Sequence, residues 1–118
     1  MNQTYDELVR QKKITGRFQT HEVFIGGQKL WPTESLRIRQ HSPDGWNWGY
    51  NGSGPAQLAL GIMLYYFPEI FALNHYQEFK ADVIATLPMG RDFEITGGTV
   101  IDWAIAKHVK ELSEAQNG

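Results

Sequence analysis

Cysteine is absent from this chain of 118 residues. That excludes a disulfide framework, a thiolate nucleophile, and any zinc or iron–sulfur site built on cysteine. Charge of one sign is also scarce. Eleven Lys and Arg stand against thirteen Asp and Glu, a net charge of −2, so no overall positive field draws the chain to duplex nucleic acid. A local basic patch stays open. Long apolar runs are missing too: the longest, Pro55 to Phe67, falls short of the ~20 residues that span a bilayer, and no membrane contact is expected. The start, "MNQTYDELVRQKK", is polar throughout. It lacks the charged-then-apolar order of a secretion signal, so the expected compartment is the cytoplasm. The Asn-x-Ser/Thr triplets at Asn2 and Asn51 are then chance matches. His21, His41, His75 and His108 are scattered, with no H-E-x-x-H and no helical i, i+4 pair. No metal and no cofactor are expected.

What is present is a one-domain length and 42% apolar residues, with four Trp, five Tyr and six Phe. That is enough to build a core and too hydrophobic for disorder. Thr4 with Glu7 makes a capping box, and Tyr5, Leu8 and Val9 follow at helical spacing. The expectation is a helical extension over residues 1–15 and one compact domain over 16–118. Arg17–Ile25 reads as a strand, Gly26-Gly27 as a two-residue turn, and Gln28–Leu30 as the partner strand ended by Pro32.

"SLRIRQHSPDGWNWGYN" carries the strongest hairpin signal. Ser42-Pro43-Asp44-Gly45 suits a type I turn with a bulged Gly45, which would pair Ser42 with Trp46, Gln40 with Trp48 and Ile38 with Tyr50. Alternation then sets Leu36, Ile38, Trp46, Trp48 and Tyr50 on one face, and Arg37, Arg39, His41 and Asn47 on the other. A register slip of one residue exchanges the faces.

Pro55–Phe67 is apolar on nearly every side and predicts a helix buried all round, capped by Ser53 or Gly54 and stopped by Pro68. Gly61, which costs a helix about 1 kcal/mol against Ala, implies close contact with another element. Asn74 with Gln77 predicts the cap of an amphipathic helix bearing Tyr76, Phe79, Val83, Ile84 and Leu87, and ending at Pro88. "RDFEIT" predicts a strand with Phe93 and Ile95 inward. Thr99 with Asp102 predicts the cap of a last helix, with Ile101, Ala104, Ile105, His108 and Leu112 on its apolar stripe and His108 as a hydrogen-bonded core histidine. The fold class is therefore α+β: an antiparallel sheet of about four to five strands packed on a buried central helix and further helices.

The joint "NGSGP" raises the first functional possibility. A helix N-terminus attracts anions, so Asn51, Ser53, Gly54, Ala56 and Gln57 could hold a small anionic ligand or nucleotide, with or without hydrolysis. The joint is neither G-x-x-x-x-G-K-[ST] nor G-x-G-x-x-G, no Lys stands beside it, and Pro55 removes a donor; a tight turn capping a buried helix explains it more simply. Ser53 also lacks the G-x-S-x-G of a nucleophile elbow, and His41, the nearest base, points to the opposite face; no catalytic residue is assigned. The aromatic stripe could stack bases, but rings of this size mostly fill cores, and only Trp46, beside the turn, is expected to reach the surface.

The polar hairpin face of Arg37, Arg39, His41 and Asn47, with Asp44 and Trp46 at the tip, is the preferred contact surface for a protein partner. Arg10, Lys12, Lys13 and Arg17 could extend it into a strip for nucleic acid, the third reading. Against both stands the commoner role of exposed strand charges, which is solvation and edge protection. A homo-oligomer stays open.

"LRIRQHSPDGWNWGYNGSGPAQLALGIML", followed by "YQEFKADVIATLP", resembles a small uncharacterised family encoded by bacteriophages, plasmids and other mobile elements. The likeness runs from about Gly16 to Trp103, with Gly61 where Ala is usual and the first dozen residues as an extension. It brings no catalytic residues with it. It implies a genetic setting in which small proteins often bind and inhibit host defence or regulatory machinery.

Overall fold

The computed structural model describes residues 4–117, and over residues 109–117 the helical backbone alone. Thr4 opens the first helix, α1 (Tyr5–Gln11), with the expected capping box: its hydroxyl accepts from the Glu7 N–H at 3.1 Å, and its own N–H donates to the Glu7 carboxylate at 3.4 Å. The helix buries none of its residues. The chain then becomes a strand, β1 (Lys13–Arg17), over residues that the sequence places partly in a helical extension. The period of two explains the change, since Ile14 and Gly16 are buried while Lys13 and Arg17 are exposed.

β2 (Glu22–Ile25) pairs antiparallel with β1, placing Ile14 opposite Ile25 and Gly16 opposite Val23. The strand expected from Arg17 onward is thus broken by a turn. His21 stands there at φ 60°, its N–H bonded to the Arg17 carbonyl at 2.8 Å. β3 (Gln28–Lys29) follows the Gly26-Gly27 turn, where φ values of 59° and 81° give the left-handed pair a tight hairpin needs. Much later β4 (Phe93–Thr96) adds to the other side of β1, giving a four-stranded antiparallel sheet in the order β3-β2-β1-β4.

One face of that sheet joins the central helix, α3 (Ser53–Tyr66), in a core that includes Ile14, Val23, Ile25, Phe93, Leu58, Leu60, Ile62 and Met63. Every residue of α3 from Gly54 to Met63 is buried, as its all-round apolar pattern requires. Its N-cap is Gly52, in extended conformation and without a side-chain bond, rather than Ser53 or Gly54. Gly61 meets the Trp46 ring so closely that a Cβ would lie 2.7 Å from it.

The next helix, α4, starts directly after Pro68 and runs Glu69–Asp82, so Asn74 is an exposed mid-helix residue and not a cap. Ala72, His75, Tyr76 and Phe79 form its buried stripe, and a 3₁₀ turn at Ile84–Thr86 leads to Leu87, extended ahead of Pro88. The last helix, α5 (Gly97–Asn117), is capped by Thr96, whose hydroxyl accepts from the Thr99 N–H at 3.4 Å. It buries Val100 and Ala104, while Trp103 packs edge-on against Phe79 and donates to Asp82 at 2.9 Å. Ile105 is half exposed and His108 is exposed, so the last helix carries no core histidine there; the expected stripe position Leu112 lies outside the described side chains. These elements make the fold α+β.

The largest departure is the expected hairpin. Thr33–Ile38 is a short helix, α2, and residues 39–52 form neither helix nor strand. The local turn is present, with the Gly45 N–H on the Ser42 carbonyl at 3.2 Å and Gly45 at φ 102°. The strands on either side of it are not. Their backbone groups and rings find distant partners instead of one another.

Candidate recognition loop

Residues 39–52 lack the hydrogen-bond ladder that would hold a hairpin, and buried backbone groups must still be satisfied. Gln57 meets most of that need. Its side chain is fully buried in α3, within an otherwise apolar stretch. Its carbonyl accepts from the His41 N–H at 2.7 Å and the Ser42 N–H at 3.1 Å. Its amide nitrogen donates to the Ser35 hydroxyl and to the Arg39 carbonyl, each at 3.0 Å. Both donors and both lone pairs are therefore used, which is the full capacity of an amide. Ser35 passes the connection on to the Pro32 carbonyl at 3.0 Å, which ties the start of α2 to the same point.

Two indoles fix the second half of the loop. Trp46 lies under it with 6% of its surface exposed, and its Nε1–H donates to the Leu30 carbonyl at 3.1 Å. Trp48 is 1% exposed, donates to the Arg91 carbonyl at 2.9 Å, and packs edge-on against Phe93 with ring centres 4.8 Å apart. Gly49 sits at φ 83° and bonds the Ile84 carbonyl at 3.0 Å, and a Cβ there would come within 2.5 Å of the Met89 backbone. His21, from the β1–β2 turn, reaches the Trp46 carbonyl through Nδ1 at 3.0 Å. A segment without secondary structure is thus held from beneath at Arg39, His41, Ser42, Trp46, Trp48 and Gly49.

The residues expected to form one polar face are dispersed. Arg37 is on α2, paired with Glu34 at 2.7 Å and reaching Glu69 of α4 at 3.8 Å; these carboxylates, through hydrogen bonding with Glu34 first, raise its pKa. Arg39 is exposed at the mouth of the loop, and Asp44 is exposed at the turn. His41 is half buried, its Nε2 2.6 Å from the Tyr76 hydroxyl; burial lowers its pKa, and the nearby charges of Lys80 and Arg39 add to the effect. Asn47 is half buried, its side-chain oxygen accepting from the Trp48 N–H at 2.9 Å. Trp46, expected at the surface, is core. Tyr50, expected in the core, is 39% exposed. Both indole N–H groups find carbonyl acceptors inside the fold, whereas the Tyr50 ring lies against Gly52 and its hydroxyl against Gly54.

The helix start is equally changed. Asn51 and Ser53 are exposed, but Gly54 is buried beneath the Asn47 side chain and the Tyr50 hydroxyl. The Ala56 N–H already bonds the Gly52 carbonyl at 3.0 Å, and the Gln57 amide is fully committed. Little of the donor set expected for an anion faces outward. The four basic residues of the proposed strip lie on or beside α1 and β1, each with its own contact. Arg10 bonds Asp6 and Asp102, Lys12 the Tyr65 hydroxyl, and Lys13 lies 3.9 Å from Glu94, while Arg17 stacks over Phe24. Among the described residues no group of three His, Asp or Glu could hold a metal ion, and no helix is long and apolar enough to cross a membrane.

Sequence reasoning missed Gln57, Ser35 and Tyr76 as the supports of this loop. The signal for the first was present: a lone amide inside "PAQLALG" must be buried, and a buried amide must be paired. Comparison with curated proteins and with solved structures returns no match. A family model described as a family of unknown function, DUF6166, matches residues 10–107, and the chain belongs to that family.

Proposed function

We propose that this chain is a non-catalytic binding protein that recognises another protein through the loop at residues 39–52. The observation that supports the reading is the anchoring of that loop: the buried Gln57 amide and the Trp46 and Trp48 indoles hold it in one conformation from below. Long irregular segments inside a compact domain are uncommon and most often functional when ordered. A loop already fixed in shape loses little conformational freedom on binding, which raises affinity without new contacts. Outward it presents Arg39, Gln40, Pro43, Asp44, Tyr50 and Asn51. Arg and Tyr are the side-chain types that dominate protein interfaces, because each combines a large flat surface with directional hydrogen bonds.

The resemblance to mobile-element proteins makes a host defence or regulatory protein the expected class of partner. The experiment is affinity capture from a bacterial host lysate, comparing the natural chain with an Arg39→Glu/Tyr50→Ala variant of matched thermal stability. The expected result is a protein captured by the natural chain and lost with the variant. Equal capture by both would remove the loop as the contact surface.

A further inference from the structure

His41 sits where the loop meets α4. Its Nε2 lies 2.6 Å from the Tyr76 hydroxyl, and the two rings pack with their centres 5.5 Å apart. Lys80 follows Tyr76 by four residues, so one turn of α4 brings both to the same face. Arg39 precedes His41 by two residues in the loop. The Arg39 carbonyl and the His41 N–H both bond the Gln57 amide, at 3.0 Å and 2.7 Å, which fixes the backbone from which the two side chains leave. The charges of Lys80 and Arg39 both act on the imidazole, adding to the effect of burial. Three basic side chains from two segments thus gather at one point.

Among the described residues no carboxylate pairs with Arg39 or with Lys80. The acids of α4 are engaged elsewhere: Glu69 with Arg37 at 3.8 Å, Glu78 with Lys107, and Asp82 with the Trp103 indole at 2.9 Å. Asp44, three residues on from His41, is exposed at the turn and is not among the charges that act on the ring. Lys80 stands in the last turn of α4, where the partly negative end of a helix favours a cation. Roughly half a charge does not neutralise a whole one, still less Arg39 as well. The cluster is therefore positive in a chain whose net charge is −2.

We propose that Arg39 and Lys80, gathered at His41, receive the carboxylates of an acidic segment of the protein partner. The inference rests on the loop being the contact surface, and it names the chemistry of what the loop contacts. The Arg39 guanidinium can hold a carboxylate through two parallel bonds, and Lys80 adds a point charge beside it. Complementary charge of this kind orients a partner and speeds its arrival. A nucleic-acid backbone asks for a longer row of cations. Here the row ends on one side at Arg37, already matched by Glu34 and Glu69, and on the other at Asp44.

The test titrates the full chain at low salt with acetyl-tetraglutamate, acetyl-tetraglutamine and a short oligothymidylate, and follows amide and histidine-ring chemical shifts. The glutamate peptide is expected to shift residues 39–42 and 76–80, and the glutamine peptide to shift neither segment. The His41 ring is expected to titrate at higher pH with the glutamate peptide bound, because a nearby carboxylate favours its charged form. Arg39→Gln and Lys80→Gln are each expected to weaken the peptide about threefold, the scale of one exposed ion pair. Lys13→Gln, which removes the same charge from β1, is expected to leave binding unchanged. The proposal is overturned if the glutamate peptide shifts neither segment, if both peptides shift them alike, or if Lys13→Gln weakens binding as much as Lys80→Gln. It is overturned in favour of nucleic acid if the oligothymidylate shifts the same residues at lower concentration than the glutamate peptide. Because the titration needs no partner, its failure removes the acidic segment and leaves the loop contact itself to the capture experiment.

Discussion

The loop at residues 39–52 and the helix α1 invert the usual relation between regular backbone and firm attachment. α1 has a capping box and an internal ion pair between Asp6 and Arg10, yet buries no side chain. The loop has no ladder and no helical turn, yet two of its residues, Trp46 and Trp48, are core. Local hydrogen bonding shapes the first; distant side chains shape the second. Regular structure measures how a segment satisfies its own backbone, and it says little about how strongly the segment is tied to the rest.

The sharpest way to break the comparison is Gln57→Leu, which keeps the volume and removes the amide. The His41 and Ser42 N–H groups and the Arg39 carbonyl would lose their protein partner at once. At about 1–3 kcal/mol for each buried group left unpaired, part of it recovered by water at the loop, roughly 3–5 kcal/mol of stability should be lost in urea denaturation. A loss below about 1 kcal/mol would show that the loop holds itself. Gly49→Ala comes next. It forces a side chain into the left-handed region and against the Met89 backbone, at a cost of about 2–3 kcal/mol. Gly27→Ala, at a similar φ of 81° but with nothing within 4 Å, should cost only about 1 kcal/mol. The difference between the two isolates the packing beneath the loop from backbone strain alone.

His41 adds a pH axis. Its folded pKa is lowered from the ordinary 6.5, chiefly by burial, so the folded chain holds the ring neutral while the unfolded chain still takes up a proton. The stability tied to the neutral ring is complete above about pH 6.5 and is lost as the pH falls below it, because the unfolded state then binds more protons. Denaturation midpoints of the natural chain should drop between about pH 7 and pH 5, and His41→Gln should remove part of that slope. An unchanged slope would place the titration elsewhere.

What was legible in the sequence follows the same division. The Gly26-Gly27 turn, the Thr4–Glu7 cap and the buried helix behind Pro55 depend on neighbours within a few residues, and each was readable. The Ser42–Gly45 turn was readable too, and misleading, because a turn does not specify strands. Whether Trp46 and Trp48 line a hairpin or anchor a loop is decided by the Leu30 and Arg91 carbonyls, which no local pattern reveals. The same limit hid the start of α4. Asn74 resembles a cap only until Pro68 is seen to have begun the helix already. The candidate surface was legible as a stretch and illegible as a face: the period of two that sorted Arg37 and Arg39 together belongs to a strand, and α2 separates them.

The smallest effect belongs to α1. Thr4→Ala removes the acceptor of the Glu7 N–H, for which caps of this kind contribute about 1 kcal/mol. Because no residue of the helix is buried, that loss should stay local. Exchange of the α1 amides should quicken severalfold, while the midpoint of global unfolding shifts by no more than about 0.5 kcal/mol. Arg10 ties it to Asp102 through an exposed pair of the kind that couples segments weakly. If Thr4→Ala instead lowers global stability by the full value of the cap, α1 is cooperative with the core, and the contrast with the loop is one of geometry rather than of attachment.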